Sequence, residues 1–213
     1  MSTLLCLLPA LSHAEPDAAP FGLHVEARTA SVYAGACHYG GESATAGREA
    51  LVALRFDGGS LAGESLAGAS LAFVLAADAN LEDESLVARA HVYVDAPRGA
   101  AQEAALLLAA RRHLGSRSLE LSAVEVRDLS IHDAGDAVEV RVPGVARLAA
   151  LAMPDRACCK MPQQVWYRPL GEVEGPLVLL CEEFRVTNAA MHFARHDENN
   201  GFVARFGVAP GGD

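Results

Sequence analysis

Residues 88–115, ARAHVYVDAPRGAAQEAALLLAARRHLG, decide the fold class. The opening of this stretch alternates: His91 and Tyr93 fall on one side and Val92 and Val94 on the other, the period of a strand. Pro97 then marks a helix start, because its fixed φ and missing N–H suit a first turn. The helix is expected from about residue 100 to residue 113, with Gly115 as its stop. Ala101, Ala105, Leu108 and Ala109 or Arg112 share one face, widened by Leu106 and Leu107. Arg111, Arg112 and His113 suit the negative end of the helix dipole.

Working outward, the rest of the chain reads as strands. Downstream, residues 119–129 return to alternation, with a slip of parity at Ala123-Val124 that suggests a bulge. Ala134-Gly135-Asp136 makes a turn, and Ala137–Val142 alternates cleanly, so these two runs are expected to form a hairpin. Residues 145–153 fit a short helix or a strand; 165–168 and 177–187 fit strands, and 202–208 an edge strand. Upstream, Val25, Ala27 and Thr29 alternate with charged residues, and residues 48–57 lead into the Gly58-Gly59 turn. Ser60-Leu61-Ala62-Gly63 echoes in Ser65-Leu66-Ala67-Gly68, too briefly for a solenoid, so it reads as a turn before a strand at 70–77. About eight or nine strands and one main helix (100–113) argue for an α+β domain with a largely antiparallel sheet. The expected layout is a signal-peptide remnant at 1–14, a flexible entry segment at 15–27, a single domain at 28–208 and a tail at 209–213.

Composition narrows the partners. The chain has 213 residues, 51% hydrophobic and 21% charged, enough for a real core. Its formal net charge is -10, and Lys160 is the only lysine. Without a basic stripe it is a poor fit to nucleic acid, whose phosphates supply most binding affinity. Leu4 to Leu11 is a short apolar run followed by Ser12-His13-Ala14, which reads as the end of a secretory leader. That run is too short to span a membrane as a helix, so no membrane span is expected in the mature chain. A periplasmic or secreted location follows from the leader.

Chemistry concentrates in sulfur. Pro154-Asp155-Arg156-Ala157-Cys158-Cys159-Lys160-Met161-Pro162 holds two of the five cysteines side by side, with a methionine two residues on. Cys37-His38 lies far upstream among glycines that permit tight turns and close approach. The thiolates of Cys37, Cys158 and Cys159, with His38 and Met161 as further ligands, make a soft donor set that favours Cu(I). Zinc fits less well, because its sites use Cys-x-x-Cys spacing and none is present. Two other readings stay open. Cys37 could form a disulfide with Cys158 or Cys159 in a non-catalytic binding or structural module, or one thiol could be reactive in a thiol-dependent enzyme. Cys181 reads as a buried apolar thiol, and Met191, His192 and His196 as packing or a second ligand group.

The phrases SVYAGACHYGGE (31–42), GREA (47–50), VYVD (92–95) and DRACCKMP (155–162) resemble a bacterial family of domains of unknown function, over about Arg28 to Phe206. The resemblance supplies no activity. It implies that the two sulfur segments form one unit. The sequence thus leads to the expectation of an exported protein that binds and hands on a soft metal ion. Enzymatic turnover is not the favoured reading, and the expected partners are the ion and a metal donor or acceptor protein.

Overall fold

The computed structural model describes residues 17–34, 46–152, 164–165 and 167–207. Its elements in chain order are β1 (Phe21–Arg28), β2 (Tyr33–Ala34), β3 (Glu49–Gly58), β4 (Ser60–Leu61), β5 (Glu64–Ser65), β6 (Ser70–Ala76), β7 (Val87–Val94) and α1 (Ala100–His113). Then follow β8 (Ser118–Val126), β9 (Ser130–Asp133), β10 (Ala137–Val142), β11 (Ala146–Ala152), β12 (Gln164–Val165), β13 (Glu174–Thr187), β14 (His192–Arg195) and β15 (Glu198–Phe206).

One large sheet dominates, in the order β8-β7-β6-β3-β1-β15-β13-β11-β10-β9, with β14 added alongside the end of β13. Every neighbouring pair in it is antiparallel except β7 and β8, which are parallel and joined by α1 as the crossover. The α+β expectation is therefore corrected: this is a mostly β protein, its sheet is larger than expected, and α1 is a single short helix on one face.

The sheet must curl. Laid flat at the usual strand spacing, ten strands would hold β8 and β9 about 43 Å apart. Only residues 127–129 separate β8 from β9, a link that reaches about 14 Å at most. The two edges are thus drawn together, and the link is tied down by Arg127 N–H to Val94 O (3.0 Å) and Leu129 N–H to the Asp95 carboxylate (3.3 Å). Between the two halves lies an inner core. Val25, Leu51, Ala53, Ala72 and Val74 from one half meet Ile131, Val138, Val140, Leu148, Phe184 and Val186 from the other. The outer face of β3, β6 and β7 carries a second core, where Val52, Leu54, Phe73, Leu75 and Val92 pack under Ala105, Leu106 and Ala109 of α1. Because β3 is covered on both faces, it reads as a near-continuous apolar run.

Several element-level expectations change. Residues 137–142 form a hairpin with β9 rather than with 119–129, which instead lies at the opposite edge beside β7. The bulge is real but falls at Ser122, the extra residue between Leu121↔Ala90 and Ala123↔His91. Residues 145–153 contribute a strand, β11. The C-terminal strand β15 is central, between β1 and β13, not an edge. The entry segment expected to be flexible contains β1 from Phe21, and Asp17 accepts the N–H groups of Ala62 and Gly63 on the β4–β5 hairpin. On α1 the limits are as expected, but the buried face is Gln102, Ala105, Leu106, Ala109 and Ala110, while Leu108 points to solvent. Gln102 can face inward because it accepts from Arg98 N–H and donates to Ser65 O, both at 2.8 Å.

Candidate functional site

The residues expected to ligate metal, Cys37, His38, Cys158, Cys159 and Met161, lie outside the described residues. The chain beside them is described, and it converges. β2 pairs antiparallel with β12 in the register Ala34↔Gln164 and Tyr33↔Val165. Cys37 follows Ala34 by three residues, and Met161 precedes Gln164 by three. The two sulfur segments, far apart in sequence, therefore branch from one small β ladder. Among the described residues, no group of three or more His, Cys, Asp or Glu side chains converges as a metal site. Cys181 is a buried free thiol whose pKa burial pushes up, as the apolar reading expects. Met191 packs at the margin of the inner core. His192 lies on β14 and His196 beyond it, so these two do not share a helix face.

A different polar constellation is fully enclosed. On β1, Leu23, Val25 and Ala27 enter the inner core, so the pleat sends His24, Glu26 and Arg28 to the opposite face. There all three are 0% exposed. His24 Nε2 lies 3.1 Å from a Glu26 oxygen, and Arg28 Nε donates to the other at 2.5 Å. His24 Nδ1 meets His113 Nε2, from the last turn of α1, at 2.8 Å. Arg28 reaches Glu82 at 3.1 Å and lies 5.8 Å from the centre of the Tyr167 ring. Asn200 on β15 donates to Arg28 O at 2.8 Å.

A strap of chain, residues 167–173, covers this row. Leu170 N–H donates to Glu26 (2.7 Å), Arg168 O accepts from Arg28, and Glu172 N–H donates to His113 O (3.1 Å). Gly171 lets the strap lie against the histidine: a Cβ there would sit 2.3 Å from His113 Nε2. The strap begins two residues after β12, so the enclosed row adjoins the ladder from which the sulfur segments leave.

The charges are set by opposing effects. Burial works to raise the Glu26 pKa, but the Arg28 guanidinium, the His24 hydrogen bond and the Leu170 N–H outweigh it and hold it at about 2. His113 goes the other way for a basic group: burial, then the neighbouring His24, bring it down to about 3, so it is neutral at ordinary pH. Arg117 also reaches this neighbourhood; burial and Arg28 lower its pKa, against the carboxylates of Glu84, Glu26 and Glu82. Its Nε and Nη1 are buried with no hydrogen-bond partner among the described residues.

The sequence reading missed this row. An alternating strand is ordinarily read with its charged face in water, and residues 24, 26 and 28 fitted that pattern. The available signal was indirect: residues 50–54 and 202–204 are apolar at consecutive positions, which marks strands covered on both faces. A His-x-Glu-x-Arg face belonging to the same sheet also carries its own counter-charges. No family model, curated protein or solved structure matches the chain.

Proposed function

We propose that the protein binds a soft metal ion, Cu(I) in particular, through the thiolates of Cys37, Cys158 and Cys159, with His38 and Met161 completing the donor set. The observation that carries this reading is the β2–β12 ladder. Three residues of chain reach about 11 Å at most, so Cys37 and Met161 each lie within that distance of a common bridge. Thiolate and thioether favour Cu(I) over harder ions, and low coordination numbers suit adjacent cysteines better than a tetrahedral zinc cage does. In this reading the protein is exported, passes the ion to or from another protein, and does not turn over a substrate.

The test is competition for Cu(I) against a chromophoric chelator, with all thiols reduced. The full chain should withdraw copper with a stoichiometry near one, and a Cys158→Ser/Cys159→Ser variant should lose most of that capacity. Failure of the reduced protein to compete sinks the proposal. Alkylation followed by mass spectrometry separates the disulfide module: a Cys37 bridge shows as added alkyl groups only after reduction.

A further inference from the structure

The outer face of β10, β11 and β13 carries a row of like charges. On these strands the pleat sends Val140, Val142, Leu148, Phe184 and Val186 into the inner core, so Arg141, Arg147 and Arg185 point outward. The register sets them directly opposite one another on three adjacent strands, Arg141↔Arg147 and Arg147↔Arg185. Like charges opposed in this way destabilise a sheet. Two carboxylates one row back offset part of that. Glu139 lies 2.6 Å from Arg141 and 3.3 Å from Arg147; Glu183 lies 2.5 Å from Arg147 and 3.6 Å from Arg185. Three guanidiniums thus share two carboxylates. Among the described residues, Arg141 and Arg185 each meet a carboxylate through one nitrogen, with the other donors of each fork unengaged.

On the side away from those carboxylates, at the β10–β11 turn, lies a cavity of about 390 Å³. Arg141, Arg147 and Arg185 form its charged wall, Pro143 and Val145 give apolar surface, and Thr187 adds a hydroxyl. No carboxylate of the described residues lines it. An ion-pair network that only joined strands would gain from a third carboxylate here; the row instead turns its surplus charge toward the cavity. We infer that this cavity binds a small phosphate monoester, with its phosphoryl oxygens on the three guanidiniums and its body against Pro143 and Val145. Glu139 and Glu183 hold the forks from behind, so binding need not order them. A carboxylate ligand would offer this row two oxygens and one charge. A monoester offers three terminal oxygens and about 1.5 to 2 charges near neutral pH, which suits three forks. The volume lies in the small-molecule range. The net charge of -10 opposes extended polyanions, which favours a compact ligand. None of these residues belongs to β2, β12 or the strap, so the site is additional to the metal reading.

Calorimetric titration of the full chain near neutral pH with phenyl phosphate, inorganic phosphate, benzoate and phenol tests this. Phenyl phosphate should saturate at one per chain and bind about tenfold more tightly than any of the other three. In NMR of the native chain it should shift the Nε–H resonances of Arg141, Arg147 and Arg185. An Arg141→Gln/Arg185→Gln variant changes side chains that are 54% and 55% exposed and leaves Arg147 on both carboxylates, so the fold should survive. It should lose about tenfold in phenyl phosphate affinity. Arg89→Gln, at an exposed ion pair with Asp78 on β7, should leave that affinity unchanged. No saturable binding at millimolar concentration, equal affinities for phenyl phosphate and benzoate, or unmoved arginine resonances would overturn the proposal. Equal losses in the double variant and Arg89→Gln would overturn it too, by reducing the effect to net charge. Inorganic phosphate binding as tightly as phenyl phosphate would overturn the choice of an ester.

Discussion

At the scale of single residues, Glu26 is the most consequential side chain in the outer layer. Its two oxygens serve His24, Arg28 and Leu170 N–H, and none of these groups reaches water at that position. Replacing it by Gln leaves the Arg28 guanidinium buried without its nearest counter-charge, which is expected to cost about 3–5 kcal/mol in a urea unfolding experiment. The penalty should depend on pH in a defined direction. Folding lowers the Glu26 pKa from 4.5 to about 2, so its contribution is complete above pH 4.5 and fades as pH falls toward 2. The stability gap between native chain and Glu26→Gln should therefore shrink by about 3 kcal/mol across that window. A gap independent of pH would mean the carboxylate is not ionised in the folded state. Arg117 predicts the opposite sign. Two of its buried donors are unpartnered among the described residues, so Arg117→Met, which keeps the length of the side chain without the charge, should be neutral or stabilising by up to about 2 kcal/mol in the same assay.

At the scale of elements, α1 shows which features of a helix can be read from its sequence. Its limits follow from local chemistry: Pro97 before it, an alanine- and leucine-rich body, Gly115 after it with a positive φ of 71°. Its buried face did not follow, because Leu106-Leu107-Leu108 supplies apolar surface at three successive angles and gives the pattern no phase. Tertiary contacts choose Leu106, which is fully buried, and leave Leu108 43% exposed. Leu106→Ala should cost about 2–5 kcal/mol, and Leu108→Ala less than about 0.5, when thermal or denaturant unfolding of the two variants is compared. The strap offers a sharper check on the row beneath it. In Gly171→Ala the new methyl would collide with His113 Nε2, so the ring must move away from His24. A cost of about 1–3 kcal/mol is expected, together with loss of the shared-proton signature between the two histidines in nitrogen NMR. An alanine variant with native stability and native ring resonances would show that the strap sits farther from α1 than described. The charged face of β1 was illegible for a related reason: alternation reports two faces but not what covers each.

At the scale of the whole molecule, most strands could be read individually, whereas their order could not. The 119–129 and 137–142 runs looked like a hairpin because they are consecutive and alternating; the three-residue link at 127–129 instead carries the chain from one edge of a ten-strand path to the other. Nothing in a strand's own residues encodes that its neighbour in sequence will be its farthest partner in the sheet. The two sulfur segments show the reverse case, where distant stretches suspected of acting together leave from one ladder, β2 with β12. The position of β15 follows the same logic and can be tested. Its pattern suggested an edge, which a protein can lose with modest damage. Its actual place is between β1 and β13, pairing with both along most of its length. Phe202 and Phe206 also fill the outer layer, Phe206 edge-on to Phe56 at 5.5 Å, and Asn200 holds the β1 backbone at Arg28. Removing residues from 198 onward would expose two unpaired strand edges in the middle of the sheet and empty part of the apolar layer beneath α1. Such a truncated chain should lack cooperative unfolding and exchange its β1 amides as fast as an unstructured peptide, whereas loss of an edge strand would leave β1 protected. Native-like protection of residues 23–27 in the truncated chain would mean that β1 and β13 close directly on each other, and that the central placement of β15 is wrong.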